Sequence, residues 1–327
     1  MDVLVYSGLE LLGDGVMKLP FLRALRQRWP DAHITWLAGK GETIYAHALA
    51  PLVTPLIDEI IENAGIGSRA AELVGRRPLS GRRFDLVIDT QRRVLTTLIL
   101  RRLRTRCFVS GAADFLLSNK RPRRGYERPP RLIDQLLDLV EIAGGERVEP
   151  RFDLAMGPPW SDAAAVALPS GPIYVGIAPG AGGAHKQWPR ARFVALAQAE
   201  IAAGRKVAML LGPGEQAWHA ELAAALPDAL FPLQDVRVDP AVAASPLYTL
   251  ALGQRLALAV ANDSGTGHLV AASGATMVSL FGPTAARKFA PAARRIEIIE
   301  AQTFGAGDMA AIPLDAVRDA VERGLAG

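Results

Sequence analysis

The segment Ala-Asn-Asp-Ser-Gly-Thr-Gly-His at 261–268 places Asp263, Ser264, Thr266 and His268 almost side by side, with Gly265 and Gly267 between them. These side chains hydrogen-bond hydroxyls and phosphates, and the glycines leave backbone amides accessible. An apolar run at 256–260 precedes the segment and reads as a buried strand, and 269–274 reads as the start of a helix. The end of a strand where a helix begins offers free N–H groups and the positive helix end, a ready site for phosphate. The segment therefore predicts a nucleotide or nucleotide-sugar site. His268 alone reads as a satisfied structural histidine; beside Asp263 and Ser264 it reads as part of that site.

Three further loops carry candidate chemistry. Residues 7–15 end in Leu-Gly-Asp-Gly, with Asp14 just before a helical pattern. Asp14 is either the cap of that helix or a carboxylate available for proton transfer, and spacing leaves both open. The glycine-rich loop 178–189 contains Lys186, either a cation for a diphosphate or a solvated lysine beside the helix that Pro189 begins. Trp188 reads as packing beneath the loop. The Walker A spacing is absent, so this is not that type of phosphate loop. At 211–216, Glu215 is either an acceptor for a ribose diol or a first-turn glutamate that complements the helix dipole.

Alternating strands and helices must position these loops. In the first half, apolar runs at 3–6, 33–38, 57–61, 84–89 and 106–110 read as strands, and 16–29, 94–103 and 132–143 as helices. A Pro-rich, polar segment at 149–172 reads as a linker. The pattern then restarts, with strands at 173–178, 206–211, 256–260 and 277–281 and helices at 189–203 and 216–225. A last helix at 314–324 carries Leu314, Val317 and Val321 on one face. The reading is an α/β protein with two doubly wound parallel sheets.

Composition limits the alternatives. Half of the 327 residues are hydrophobic, enough for two sizeable cores. The net charge is +4, with arginine concentrated between Arg76 and Arg131, but no nucleic-acid recognition motif accompanies it. The lone Cys107 excludes an intrachain disulfide and a cysteine-based metal cluster, and fits a reducing compartment. The N-terminus lacks the pattern of an export signal. The longest stretches without Asp, Glu, Lys or Arg, 163–185 and 264–286, are broken by glycine and proline, so neither reads as a membrane span.

Taken in order, four segments resemble glycosyltransferase family 9, the heptosyltransferases that build the inner core of bacterial lipopolysaccharide. They are Leu-Gly-Asp-Gly-Val-Met-Lys-Leu-Pro at 12–20 and Phe-Asp-Leu-Val-Ile-Asp-Thr-Gln at 84–91. The third is Ala-Pro-Gly-Ala at 178–181 with Lys-Gln-Trp-Pro at 186–189. The fourth is Asn-Asp-Ser-Gly-Thr-Gly-His at 262–268 with Leu-Phe-Gly-Pro-Thr at 280–284. The resemblance spans nearly the whole chain. It implies a GT-B architecture: two Rossmann-like doubly wound domains facing a central cleft. Residues 1–157 would bind acceptor and 158–327 the donor, with the last helix, about 313–325, returning to the first domain. It implies inverting, metal-independent transfer from a nucleotide sugar, ADP-heptose by preference, onto a lipopolysaccharide-core acceptor without a cofactor.

By motif position, Asp14 matches the general base, Lys186 the donor phosphate partner, Glu215 the ribose-binding acid and Asp263 the holder of the donor sugar. Ser264, Gly265, Thr266, Gly267 and His268 match the phosphate-binding helix start. Arg92, Arg93, Arg121, Arg123 and Arg124 become candidates for an anionic glycolipid acceptor at the inner membrane surface, which implies a cytoplasmic protein with peripheral membrane contact left open. Two departures stand out. Gln-Thr-Phe-Gly-Ala-Gly-Asp at 302–308 replaces the family's cysteines, and the loop before Gly13 is unusually apolar. Another nucleotide sugar or acceptor, and a non-catalytic nucleotide-sugar-binding protein, are the rival readings.

Overall fold

The computed structural model describes residues 1–148, 154 and 156–326. The chain divides into two compact units, Met1–Arg151 and Phe152–Gly327, a little before the boundary expected after residue 157. Each unit is built on a five-stranded sheet in which every neighbouring pair runs parallel.

The first sheet comprises β1 (Asp2–Ser7), β2 (His33–Ala38), β3 (Glu59–Ile61), β4 (Phe84–Asp89) and β5 (Thr105–Ser110), in the order β3-β2-β1-β4-β5. A parallel sheet needs cover on both faces, which is why its central strands read as continuous apolar runs. Leu4, Tyr6, Val87 and Phe108 pack on one face with Ile99 and Leu100 of the helix Val94–Leu100. The helix Leu12–Arg28 packs against Leu132–Gly144, where the Arg28 guanidinium donates to the Gly144 carbonyl at 2.7 Å.

The second sheet comprises β6 (Tyr174–Ala178), β7 (Lys206–Met209), β8 (Leu258–Asn262), β9 (Thr276–Phe281) and β10 (Ile296–Glu300), in the order β10-β9-β8-β6-β7. Period-two alternation divides its side chains between two cores. Val175 and Ile177 join Phe193 and Leu196 of the helix Arg190–Ala202 and Val317, Ala320 and Val321 of the helix Leu314–Ala326. Tyr174 and Ala178 point the other way, onto Ala164, Ala167, Leu252 and Val270.

In both sheets the strand order reverses beside the first strand of the unit, between β1 and β4 and between β6 and β8. Connections leave such a switch point towards opposite faces, so a crevice opens beyond the carboxyl ends of the two strands. The loops at 8–11, 90–93, 179–189 and 263–264 occupy those positions.

Four differences from the sequence reading have physical causes. The first helix begins at Leu12 and not near Val16, because the Tyr45 hydroxyl donates to the Gly15 carbonyl at 2.7 Å and holds the first turn. Residues 160–167 of the expected linker form a helix, whose Ala164 and Ala167 are buried under the second sheet; residues 149–153 and 155 of that linker lie outside the described residues. β10 escaped notice because Ile-Glu-Ile-Ile-Glu mixes charge into an edge strand that is only partly covered. The last helix, expected to return to the first domain, spends its single apolar face on the core of the second unit, against β8, β9 and β10.

At the end of β4, Asp89 is fully buried and accepts from Thr97 Oγ1 at 2.6 Å, Ser110 Oγ at 2.9 Å and the Gln91 amide at 2.9 Å. Burial outweighs these donors and pushes its carboxyl up from 3.8 to about 6. A raised native pKa favours the protonated native state, so this contribution is complete below about pH 4 and is lost as pH rises through about 6. The stability of wild type relative to Asp89→Asn should therefore fall by on the order of 3 kcal/mol between pH 4 and 7, the size of a two-unit shift. Chemical denaturation of both proteins across that range checks this; a flat difference removes the buried charge as its cause.

Candidate functional site

In the second unit, one side chain fixes the crevice. Asn262 ends β8 and is 1% exposed. Its Nδ2 donates to the carbonyls of Pro179 at 2.8 Å and Gly180 at 3.3 Å, and its Oδ1 accepts from the Trp188 amide at 3.1 Å. Both ends of the 179–188 loop are thereby pinned to the end of the neighbouring strand. Trp188 packs beneath the loop, edge-on to Phe193 at 4.9 Å between ring centroids, and its Nε1 donates to the Ile312 carbonyl at 2.9 Å.

The pinned loop brings Lys186 to Asp263, Nζ to Oδ2 at 3.0 Å. The other Asp263 oxygen lies 3.9 Å from His268 Nε2. Ser264 caps the helix Gly265–Ala272, its Oγ accepting from the Gly267 amide at 3.0 Å. The amides of Gly265 and Thr266 have no partner among the described residues, as the first donors of a helix do not.

Glu215 enters from the turn after β7. It is 8% exposed, and burial raises its carboxyl pKa against the pull of nearby backbone N–H groups. A Cβ on Gly180 would lie 2.3 Å from the Glu215 carboxyl carbon, and one on Gly212 would lie 3.1 Å from Oε2 and 3.6 Å from Thr266 Oγ1. Two glycines thus make room for a carboxylate at the edge of the same crevice. The structure gathers Lys186, Glu215, Asp263, Ser264, Gly265, Thr266, Gly267 and His268 at the β6–β8 switch point. A cation and open amides suit a polyanion; carboxylates suit hydroxyl donors.

The first unit has its own crevice. Asp14 lies in the first turn of the helix Leu12–Arg28 and not at its cap, which is Leu11. Its carboxylate is exposed and makes no hydrogen bond or ion pair among the described residues. Beside it lies a network that sequence reasoning missed. Glu10 Oε1 accepts from Lys18 Nζ and Ser7 Oγ, each at 2.7 Å, and Oε2 accepts from Thr43 Oγ1 at 2.6 Å and Trp36 Nε1 at 3.2 Å. The signal was a lysine between Met17 and Leu19 on a wholly buried stretch of helix. Asn262 was likewise visible only as part of a motif.

Arg92, Arg93, Arg121, Arg123 and Arg124 are all exposed. Arg92 lines a small pocket beyond β4 and β5 with Gln91, Tyr126, Arg128 and Gln135, and its Nη1 donates to Gln135 Oε1 at 3.3 Å. Arg121, Arg123 and Arg124 lie on the connection after β5, outside that lining. Among the described residues, no helix is long and apolar enough to cross a membrane, and no three His, Cys, Asp or Glu side chains cluster as metal ligands.

A search of curated proteins finds no match. Solved structures do match over the full chain. A glycosyl transferase family 9 protein from Veillonella parvula aligns with a TM-score of 0.70 at 19% identity, covering 99% of this chain and 97% of its own. The ADP-heptose lipopolysaccharide heptosyltransferase II of E. coli gives 0.65 at 20% identity, covering 100% and 99%. The E. coli heptosyltransferase WaaC with ADP gives 0.67 at 17% identity, covering 99% and 100%. At these identities the likeness establishes the fold, the pair of parallel-sheet domains of the GT-B class. The sequence profile of glycosyltransferase family 9 (heptosyltransferase) matches residues 75–309, a span that contains Lys186, Glu215 and 263–268 but begins after Asp14. A match over more than half of the chain shows that this protein belongs to glycosyltransferase family 9 and is a glycosyltransferase.

Proposed function

We propose that the protein transfers a heptose from ADP-heptose, with inversion and without a metal or cofactor, onto an anionic lipopolysaccharide-core acceptor. The observation that carries this reading is the β6–β8 crevice, where Lys186, open helix amides and two carboxylates meet. In this reading the donor diphosphate binds Lys186 and the amides of Gly265 and Thr266, the sugar hydroxyls donate to Asp263, and the ribose diol donates to Glu215. Of the E. coli proteins that this chain resembles, one is an ADP-heptose heptosyltransferase and another has been seen with ADP, which supports an adenine nucleotide here.

Asp14 is the proposed base. It takes the proton of the acceptor hydroxyl while that oxygen bonds to the anomeric carbon, and the bond to the diphosphate breaks with its electron pair leaving on phosphate oxygen. Charge grows on the diphosphate as this bond lengthens, so Lys186 and the helix amides hold the transition state more tightly than the bound donor. With no hydrogen bond or ion pair among the described residues, the Asp14 carboxylate is open to the acceptor hydroxyl. The exposed Arg92, Arg93, Arg121, Arg123 and Arg124 supply cations for acceptor phosphates at the cytoplasmic face of the inner membrane.

A second reading keeps the reaction and changes the acceptor. Leu9 and Leu11, flanking the approach to Asp14, are 61% and 71% exposed. Apolar side chains there suit an acceptor with an apolar face beside the reacting hydroxyl.

Asp14→Asn should lower turnover by about a hundredfold or more, the share a general base contributes, while donor affinity stays within a few fold. Turnover at the wild-type level would remove Asp14 as the base. A thermal-shift screen of ADP-, UDP-, GDP- and CMP-sugars should show the largest rise in Tm with the ADP-sugar, and Lys186→Ala should abolish that rise. A larger rise with another base would replace the adenine assignment, and an unchanged response in the variant would take Lys186 out of the site.

A further inference from the structure

The proposed donor reading, on which this inference rests, gives Lys186 to the diphosphate and Asp263 to the sugar. In the structure these two residues hold each other, at 3.0 Å, with side chains 30% and 11% exposed. We propose that Asp263 sets the preference of the site for a sugar-bearing nucleotide over a bare nucleoside diphosphate, by competing with the diphosphate for Lys186.

The Lys186 ammonium is a compact charge on a flexible stem, and Asn262 fixes only the backbone that carries it. A diphosphate that recruits this charge draws it from Asp263. The carboxylate is largely withdrawn from water, and its other oxygen lies 3.9 Å from His268 Nε2. A buried carboxylate that loses a partner destabilises the complex unless new donors replace it. Sugar hydroxyls are such donors. A nucleotide sugar therefore returns to Asp263 what its diphosphate removes, and a nucleoside diphosphate does not. After transfer the sugar has left with the acceptor, Asp263 recaptures Lys186, and the by-product is released. Two residues that read as independent contacts become one specificity element.

The sign of one substitution separates this from simple contact loss. Calorimetry would measure ADP, pyrophosphate and ADP-heptose binding to wild type, Asp263→Asn, Asp263→Ser, Lys186→Met and the Lys186→Met/Asp263→Asn pair. Both Asp263 variants should bind ADP and pyrophosphate tighter than wild type, by roughly two- to fivefold, the factor an ion pair of this exposure commands, and should bind ADP-heptose more weakly. In the Lys186→Met background, Asp263→Asn should give no such gain. The inference is overturned if neither Asp263 variant tightens ADP and pyrophosphate, or if the gain persists without the lysine, which would mark plain charge repulsion. Should Lys186→Met weaken all three ligands while the Asp263 variants show no gain, the donor assignment stands and the competition alone falls. Should Lys186→Met change none of them, the donor assignment falls and takes the competition with it.

Discussion

Parallel pairing is the constraint on which the rest of this structure depends. A strand buried on both faces has no room for polar chemistry along its length, so every functional group must stand beyond a strand end. The strand order then selects which ends matter: β1 beside β4, and β6 beside β8. Asp14 and Glu10 follow β1, Gln91 and Arg92 follow β4, Lys186 follows β6 and Asp263 follows β8. A loop of the length of 179–188 would not hold a lysine in place by itself. The buried Asn262 carboxamide supplies what is missing, because its three hydrogen bonds tie the loop to the strand across the crevice. Leaving those groups unpaired would be costly, which makes the arrangement specific as well as stable.

Buried carboxylates show how differently the two units use charge. Glu10 is met by four donors, one of them a lysine. Asp89 has three neutral donors and, among the described residues, no hydrogen-bonded cation, and burial prevails. Glu215 is wedged between glycines with backbone N–H groups for company, and its raised pKa records the shortfall. Satisfied carboxylates are structural devices; an under-satisfied one at a crevice edge is suited to a ligand that brings donors. Asp14 is of a third kind, exposed and without a side-chain partner among the described residues, in the first turn of its helix.

Much of this was legible in the sequence. Nine of the ten described strands are apolar runs that period and length identify, and the small polar residues at 263–268 mark a strand end, although the helix there begins at Gly265 and not at 269. What was not legible depended on contacts distant in sequence. The first helix starts early because Tyr45 reaches Gly15, a contact that no local propensity encodes. Glu10 lies in a loop that spacing does not single out, and its role depends on Trp36, Thr43 and Lys18 converging on it. Lys186 and Asp263 were each legible as ligand-binding types, but not as partners, because charge pairing across a switch point is set by tertiary placement. The last helix was legible in period and face but not in destination, since an amphipathic stripe states that it must be covered and not by what.

The Lys186–Asp263 pair also bears on catalysis under the proposed donor assignment. An interaction that binds donor and transition state equally lowers KM without speeding the chemical step. In that assignment Lys186 departs from the uniform case because the charge it faces grows as the bond breaks, and Asp263 weakens its hold on the bound donor. Against the bound donor, the hold of Asp263 on Lys186 offsets part of the attraction to the diphosphate. As the anomeric bond lengthens, negative charge accumulates on the leaving oxygens, while the charge on Asp263 does not change. The balance shifts towards the diphosphate at the stage where its stabilisation accelerates the reaction. When the sugar departs, Asp263 loses its hydroxyl donors and the balance shifts back. A lysine with no competing carboxylate would keep its hold on the more highly charged by-product, which slows release. The ion pair thus converts a static cation into one whose grip follows the charge and the sugar.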